Sequence, residues 1–445
     1  MCAASTRKSA IVVGAGWSGC AAAVELARAG WKVTLLEAAR EVGGRARVVQ
    51  AHGRSLDNGQ HIMLGAYTES FRLMKIVGVD LGPAMLNLPL QMRYPPGSGG
   101  MDFVAPRLPA PLHLGIALLR AKGLERADKM ALARFSTTAR WMDWQLYHDC
   151  SVSELLERFD QTARLTKLMW RPLCLAALNT PPERASAQVF MNVLRDSLGA
   201  KRASSDMLLP RLDLSALFPA AAGRFVTQRG GAVLSGTKAH SLTRTSQGWQ
   251  VAASGDWNAS ADAVVLATPA PGAATLLAPL AEPALLAQLA AFEYEAITTC
   301  YLQYASATTL ALPFYALIDD EFAGHWGQFV FDRGQLDQRQ GGLLAVVISA
   351  SHAASALGQP ALASAVAAQL ALVFGRPELA TPLSVQVITE KRATFACSPG
   401  LQRPPCNIGI AGLALAGDYT ASDYPATLEA AVRSGSTAAK YLLES

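Results

Sequence analysis

The sequence predicts an α/β fold in which a Rossmann-like dinucleotide-binding domain is interleaved with an α+β cap domain for the substrate. The chain opens with a strand, a glycine-rich turn, a helix and a second strand in AIVVGAGWSGCAAAVELARAGWKVTLLE. An apolar segment near the other end, IAGLALAGDYT, again places a glycine and an acid after a strand. The 445 residues, 51% hydrophobic and 16% charged, exceed what one core usually serves, so we expect two domains.

Each glycine of the opening turn has a predicted role. Gly14 permits the tight turn, Gly16 lets the backbone approach a pyrophosphate, and Gly19 lets helix and strand pack closely. The N-terminus of the helix directs unpaired N–H groups at the phosphates. Glu37 ends the second strand about twenty residues on, where a carboxylate binds ribose hydroxyls. Because this acid repels a 2′-phosphate, the pattern favours NAD or FAD over NADP.

A second glycine pair follows the acid. Gly43, Gly44 and Arg45 in EAAREVGGRAR would alone indicate only an ordinary turn. The stretch resembles the signature of the flavin amine oxidase and phytoene desaturase superfamily, an acid, five residues and then GGR. In that superfamily the glycine pair and the arginine lie beside the FAD. The resemblance therefore favours FAD as the cofactor.

The C-terminal stretch IAGLALAGDYTASDYPATLEAAVRSG resembles the segment with which the same superfamily returns to its FAD. The resemblance implies that Gly417 and Asp418 reach the ribityl chain. It also implies a helix over residues 427–434 whose N-terminus points at the flavin. The alternative for Asp418 is a cap at the end of a strand.

The resemblance implies a nucleotide-binding domain built from three segments, residues 1–80, 223–290 and 396–445. A helical cap segment at 81–222 and a substrate-domain sheet at 291–395 separate them. Ala239 is placed near the adenine by position only. The expected FAD-binding residues are Gly14, Gly16, Trp17, Ser18, Gly19, Glu37, Ala38, Gly43, Gly44, Arg45, Gly59, Gln60, His61, Ala239, Gly417, Asp418, Ala426, Thr427 and Leu428.

The middle of the chain narrows the resemblance. LDNGQHIMLGAY, WRPLCLAALNTPPERASAQVF and VLRDSL are similar to the hydroxysqualene dehydroxylases of bacterial hopanoid pathways, and the likeness covers essentially the whole chain. In that family reduced FAD converts hydroxysqualene to squalene with release of water. Loss of an allylic hydroxyl leaves a delocalised cation, to which N5 of the reduced flavin delivers a hydride. Hydroxide leaves badly, so a proton donor with a shifted pKa in an apolar pocket is needed.

No motif identifies that donor. His61 is the first candidate, because DNGQH is expected beside the flavin; the alternative is that it only hydrogen-bonds the backbone or positions the FAD. Asp143 and Asp196 are predicted on helical stretches, where surface salt bridges are the alternative. Glu293 and Tyr294 are weaker candidates.

Charge and composition restrict the partners. The net charge of +5 is scattered, so we expect no nucleic-acid partner, and no short Cys/His spacing indicates a metal. Seven cysteines without a CxxC pair indicate free thiols in a reducing cytoplasm. A thirty-carbon hydrocarbon gains on the order of 20 kcal/mol by leaving water, at about 0.8 kcal/mol per carbon, so an isoprenoid substrate stays in the bilayer.

An enzyme for such a substrate is expected to lie on the inner face of the cell membrane without spanning it. The stretch from about residue 83 to 124, with the basic flank Arg120, Lys122 and Arg126, is either a packed core helix with snorkelling cations or a membrane-docking face. The electron donor that reduces the FAD is unknown.

Three alternatives to dehydroxylation stay open. A carotenoid or phytoene-type desaturase shares the architecture and differs in the direction of electron flow. An amine oxidase needs an aromatic cage, for which Tyr419 and Tyr424 are candidates. The third is an accessory flavoprotein of isoprenoid synthases, since a fold does not guarantee chemistry.

Overall fold

A glycine turn joins the first strand to the first helix. The computed structural model describes residues 7–51 and 53–445. Gly14 adopts φ 104°, which favours glycine, and its N–H donates to Leu36 O at 2.8 Å. This bond ties the turn to the end of the second strand, as the opening pattern predicts.

The strands form six sheets among the described residues. In chain order they are β1 Ser9–Val13, β2 Lys32–Leu36, β3 Val48–Ala51, β4 Arg54–Asp57, β5 Met63–Leu64, β6 Met85–Leu88, β7 Gln91–Arg93, β8 Asp102–Val104, β9 Met207–Pro210, β10 Ala232–Leu234, β11 Ala239–Thr245, β12 Gly248–Ala253, β13 Trp257–Ala261, β14 Ala263–Leu266, β15 Tyr294–Gln303, β16 Phe314–Ala316, β17 Phe329–Asp332, β18 Leu343–Ser349, β19 Ser384–Phe395 and β20 Leu413–Leu415.

Helices pack on one face of the parallel sheet, and the β11-β12-β13 sheet packs on the other. In chain order the helices are α1 Trp17–Arg28, α2 Thr68–Ile76, α3 Leu81–Ala84, α4 Leu112–Arg120, α5 Arg126–Trp141, α6 Val152–Arg158, α7 Ala163–Leu165, α8 Arg171–Leu178, α9 Ala187–Leu194, α10 Leu214–Leu217, α11 Pro219–Gln228, α12 Ala270–Leu277, α13 Pro283–Ala290, α14 His352–Ala356, α15 Gln359–Phe374 and α16 Leu428–Glu444. Thr166–Trp170 and Arg195–Gly199 are π-helical, and Arg202–Ser205, Arg333–Gln335, Gln338–Gln340 and Pro377–Ala380 are 3-10 turns.

The largest parallel sheet takes its strands from three separated parts of the chain. Its order is β10-β2-β1-β14-β20, and every neighbouring pair is parallel. Helix α16 crosses α1 so closely that a Cβ built on Gly435 would lie 2.1 Å from Ser18 O. The two ends of the chain therefore share one layer.

A five-stranded antiparallel sheet, in the order β16-β17-β18-β15-β19, covers the other side of the molecule. One face, with Phe329, Phe331 and Val347, packs into the main core. The opposite face, with Val330 and Val346, packs against α15. Alternate residues of each strand thus face the cap interior and the outer helix.

A small sheet, β5-β9-β6, connects the two parts. Met63 and Met85 on one face join the core around the nucleotide-binding helices. Leu64, Leu86 and Leu88 on the other face pack against the main core and stay partly exposed. This sheet presents an apolar surface to the cap.

Three expectations about the segments differ from the structure: the content of one segment, the end of one helix and one segment boundary. The segment 81–222, expected to be helical, also contains β6 to β9, and the helix expected over 427–434 runs to Glu444. Helix α11 crosses the expected boundary between 222 and 223. Phe218, just before it, contacts Trp17 of α1 at 5.4 Å between ring centroids, so this helix belongs to the nucleotide-binding layer.

The described cysteines are buried, and the described helices are too short or too polar to span a membrane. The cysteines at 20, 150, 174, 300, 397 and 406 are buried with free thiols, and Cys2 lies outside the described residues. Among the described helices, none has the length and apolar character to cross a membrane.

We predict that Gly435→Ala lowers the free energy of unfolding by about 1–3 kcal/mol, because its methyl group must displace the backbone of α1. The measurement is chemical denaturation of the FAD-loaded protein. Gly115→Ala in α4 is the control, since its Cβ meets no described atom within 4 Å. Equal stability of the Gly435 variant and the parent protein would contradict the close crossing.

Candidate functional site

The two ends of the chain meet through an ion pair. Arg45 Nη2 lies 2.6 Å from Asp418 Oδ1, and Arg45 Nη1 donates to Ala393 O at 2.8 Å. Gly417 N–H, one residue earlier, donates to Ser434 Oγ of α16 at 2.8 Å. The arginine of the GGR signature and the acid of the C-terminal segment are therefore in contact.

The two glycine motifs form one cradle at the start of α1. Gly43 N–H donates to Ala15 O at 2.8 Å, and Gly16 and Gly43 form a parallel bridge. Helix α1 has Gly16 as its N-cap, without a side-chain cap bond and without an acid in its first turn. The first N–H groups of α1 are thus left for an anionic ligand, which is what a pyrophosphate needs.

A buried hydroxyl without a partner lies beside this cradle. Thr268 Oγ1 has no hydrogen-bond partner among the described residues. A Cβ on Gly14 would lie 2.6 Å from Ala267 O and 3.3 Å from Thr268 N. The carboxyl edge of a parallel sheet is where nucleotides bind in such folds. The glycine cradle, the uncapped helix and the free hydroxyl together fit FAD.

Glu37 lies at the end of β2 and is buried. Its carboxylate accepts from Ala15 N at 2.8 Å and from Ala39 N at 2.9 Å. Thr237 N–H donates to Glu37 O at 2.8 Å, which brings the start of β11, and with it Ala239, near this acid. The ribose role of Glu37 and the adenine role of Ala239 stay predictions.

The DNGQH segment is tied to both halves of the site. Asn58 Nδ2 donates to Arg45 O at 2.9 Å and to Glu390 Oε2 at 3.1 Å. Gln60 Oε1 accepts from Arg333 Nη1 at 3.0 Å. His61 is half-buried, its Nδ1 lies 3.3 Å from Gly59 O, and desolvation lowers the pKa of its imidazole. Burial therefore disfavours the protonated imidazolium form of His61.

The C-terminal segment reaches the site as a strand, a loop and a helix N-terminus. Thr427 caps α16, its Oγ1 accepting from Ala430 N at 3.1 Å, and Leu428 is the first helical residue. Ala426 is partly buried against the main core. Their predicted contacts with the flavin stay predictions.

Asp143 is corrected from a helical residue to a turn residue. It follows the end of α5 with φ 51° and is exposed. Trp144, at φ 59°, turns inward and is buried. The helix ends here because the chain must turn to bury the indole of Trp144, and the carboxylate of Asp143 then remains in solvent.

Asp196 lies on the π-helical turn, and its predicted ion pair is present. Its carboxylate accepts from Arg195 Nε at 2.7 Å and from Tyr424 OH at 2.5 Å. Burial opposes its ionisation, but these two hydrogen bonds outweigh burial and lower the pKa of Asp196. An ionised carboxylate is a poor proton donor.

The two tyrosines considered for an aromatic cage have different surroundings. Tyr419 is buried against Phe292, at 5.9 Å between ring centroids, and its hydroxyl has no partner among the described residues. Tyr424 lies under the Arg433 guanidinium at 5.1 Å. Glu293 pairs with Arg184 at 2.8 Å on the surface.

Sequence reasoning missed Asp57, directly before Asn58. Its carboxylate is buried and accepts from Leu214 N at 2.8 Å, at the start of α10. Desolvation raises the pKa of Asp57 to about 6, against the opposing charge of Arg333. Its place as the first residue of DNGQH was the available signal, but its burial was not visible in the sequence.

Sequence reasoning also missed Arg403. Its guanidinium encloses the loop that follows Asp418 by donating to main-chain carbonyl oxygens, and it stacks on Phe395 at 4.9 Å. Burial lowers the pKa of Arg403. The acceptors are the carbonyls of Asp418 at 2.5 Å, Tyr424 at 2.6 Å, Ser422 at 3.0 Å and Tyr419 at 3.4 Å.

Residues 17–443 match the family model for flavin containing amine oxidoreductases. The chain belongs to this family. It is an FAD-dependent oxidoreductase, and the predicted cofactor is confirmed. Solved structures agree on the fold: cyclohexylamine oxidase from Brevibacterium oxydans aligns with a TM-score of 0.72 at 16% identity, covering 98% of this chain and 99% of that one. A putrescine oxidase variant aligns with a TM-score of 0.73 at 16% identity, covering 99% of both.

The relatives confirm the resemblance to hydroxysqualene dehydroxylases. The hydroxysqualene dehydroxylase of Rhodopseudomonas palustris is 29% identical, and that of Sinorhizobium fredii 28% identical, each covering 98% of both chains. The zeta-carotene desaturase of Zea mays is 36% identical over 120 residues, which cover 26% of this chain and 21% of that one. Similarity to dehydroxylases thus extends over the cap, whereas this desaturase matches one segment.

We predict that Arg403→Met weakens FAD binding by about tenfold or more, because four carbonyls of the Asp418 loop lose their donor. Fluorescence titration of the apoprotein with FAD measures this, and Arg403→Lys is expected to recover part of the affinity. Arg339→Met, at an exposed ion pair with Asp337, is the matched control. Unchanged FAD affinity in Arg403→Met would refute the role of the guanidinium.

Proposed function

We propose that this protein reduces hydroxysqualene to squalene. The carbon–oxygen bond of the allylic alcohol breaks, a carbon–hydrogen bond forms, and the hydroxyl leaves as water after taking up one proton. Bound in its reduced form, FAD supplies the hydride. The observation that carries the proposal is the full-length similarity to hydroxysqualene dehydroxylases, with 98% of each chain covered.

The chain's own residues have three tasks in this reaction. The glycine cradle and the Arg45–Asp418 pair hold the cofactor. The apolar faces of the β16-β17-β18-β15-β19 sheet and of the β5-β9-β6 sheet exclude water from the substrate. A third group must protonate the leaving hydroxyl. We assign this task to His61, whose half-buried ring remains accessible to a ligand. The Asp57 carboxylate is buried and accepts a hydrogen bond from Leu214 N at the start of α10, so it is not accessible.

The substrate sets the place of action. A hydrocarbon of this length remains in the bilayer, so we propose that the protein acts in the cytoplasm at the inner face of the cell membrane. A reductant outside this chain must restore the reduced cofactor after each turnover.

We expect anaerobically photoreduced protein to become reoxidised on addition of hydroxysqualene, and squalene to form in equal amount. The flavin absorbance and the extracted product measure this together. Reduction of the oxidised protein by phytoene or squalene would favour the desaturase alternative, which the segment similar to the Zea mays enzyme supports. Reduction by an amine would favour an amine oxidase, and no spectral change with any of these would favour an accessory role.

We expect His61→Gln to lower the turnover of the reduced protein about 100-fold when both proteins are compared at equal FAD loading. Because the imidazolium is the active form and desolvation lowers its pKa below the usual 6.5, turnover of the parent protein should rise as the pH falls through that pKa. His61→Gln should remove this pH dependence. His148→Gln, at an exposed histidine, is the control. An identical pH profile in His61→Gln would exclude His61 as the donor.

A further inference from the structure

Helix α4 exposes two of its five leucine and isoleucine side chains, whereas a histidine and an alanine are buried. Leu112 and Leu119 are 58% and 75% exposed. They are seven residues apart, so they lie on one face of the helix. His113 and Ala117, on the opposite face, are 1% and 0% exposed. A helix on a water-facing surface usually has the reverse arrangement.

The surroundings of this helix are cationic. Residues 103–124 contain no aspartate or glutamate. Arg107, Arg120 and Lys122, just before and after α4, are all exposed. Asp102, which forms a bridge with Lys122, is paired with Arg93, and Glu125 caps α5, so cations are in excess around the helix. Apolar side chains rimmed by an excess of cations are complementary to a bilayer surface with anionic headgroups, whereas a second copy of this face would bring like charges together.

The buried side of α4 connects to the candidate active site. His113 Nε2 lies 3.5 Å from Ser205 Oγ. The neighbouring Ser204 O accepts from Ala66 N at 3.0 Å, and Asp206 O accepts from Gly65 N at 2.8 Å. Helix α4 thus contacts the segment 204–206, which is hydrogen-bonded to Gly65 and Ala66, four and five residues after His61. This segment leads into β9 of the β5-β9-β6 sheet, whose leucines are partly exposed.

We propose that the outer face of α4 inserts into a bilayer that contains anionic lipid. We define this docking face as Leu112, Gly115 and Leu119, with Arg107, Arg120 and Lys122 contacting the headgroups. The inference rests on the proposed function, because a bilayer-resident substrate explains why the face lies close to the site. Docking here would bring the acyl region of the bilayer close to the segment 204–206, which leads into the β5-β9-β6 sheet.

The test is sedimentation of the FAD-loaded full chain with vesicles of phosphatidylglycerol and phosphatidylcholine, and with vesicles of phosphatidylcholine alone. The double variant Leu112→Ser and Leu119→Ser should bind the anionic vesicles at least about tenfold more weakly than the parent protein. Leu372→Ser, at a leucine 67% exposed on α15, is the matched control and should bind like the parent. The double variant Arg120→Glu and Lys122→Glu should lose the preference for anionic vesicles.

Three results would overturn the docking face. They are failure of the parent protein to bind either vesicle, equal binding by the leucine double variant, and an equal loss in the Leu372 control. A change of oligomeric state in the leucine variant without lipid, with vesicle binding kept, would assign the face to a second copy instead. Unchanged flavin absorbance and thermal midpoint exclude misfolding of a variant.

Turnover of hydroxysqualene in detergent micelles separates the two proposals. If the parent protein docks but forms no squalene, the proposed function fails and the docking face stands. If it forms squalene in micelles but does not bind vesicles, the docking face fails alone. The leucine double variant should keep its micellar turnover and lose turnover of vesicle-embedded substrate.

Discussion

The close crossing of the first and last helices is the constraint on which the rest of the structure depends. Cβ atoms on Gly19 and Gly435 would lie 1.8 Å from Gly14 O and 2.1 Å from Ser18 O. Hydrogen at Gly435 lets α16 lie against α1 while β20 pairs with β14, and hydrogen at Gly19 lets α1 pack on the turn that precedes it. The same approach brings Asp418 to Arg45, so the cofactor site exists only when chain segments about 370 residues apart in sequence are packed together.

The features of the site that could be predicted from sequence are those that depend only on residues close together in the chain. A tight turn, an uncapped helix N-terminus or an acid at a strand end each need particular residue types at fixed spacing, as at Gly14 and Glu37. The contacts of Arg403 have no such pattern, because its acceptors are main-chain carbonyls, which every residue has. The position of α11 was missed for a similar reason: its apolar face looks the same whichever layer buries it, and only the packing of Phe225 and Val226 with α1 in the fold decides.

Electrostatics was the least predictable part. Asp57 and Asp196 are the same residue type, yet desolvation raises the pKa of Asp57 whereas hydrogen bonds from Arg195 and Tyr424 outweigh burial and lower that of Asp196. The difference arises from the deeper burial of Asp57 and from partners of Asp196 such as Tyr424, which is distant in sequence. Residue type therefore identifies candidates for acid chemistry, and the fold then decides which carboxylates stay ionised.

Family membership and fold are shared by enzymes that oxidise their substrates, so the direction of electron flow depends on what surrounds the reacting carbon. If hydroxysqualene is the substrate, its allylic cation must survive until hydride arrives, and a water molecule beside it would restore the alcohol. The sheet face with Phe329 and Phe331 is largely apolar. Of the two hydroxyls in register on that face, Tyr301 donates to Asp57 O at 2.8 Å, and Thr299 has no partner among the described residues. The apolar surface that draws a hydrocarbon from the bilayer would then also protect its cation, and one property would serve both binding and chemistry.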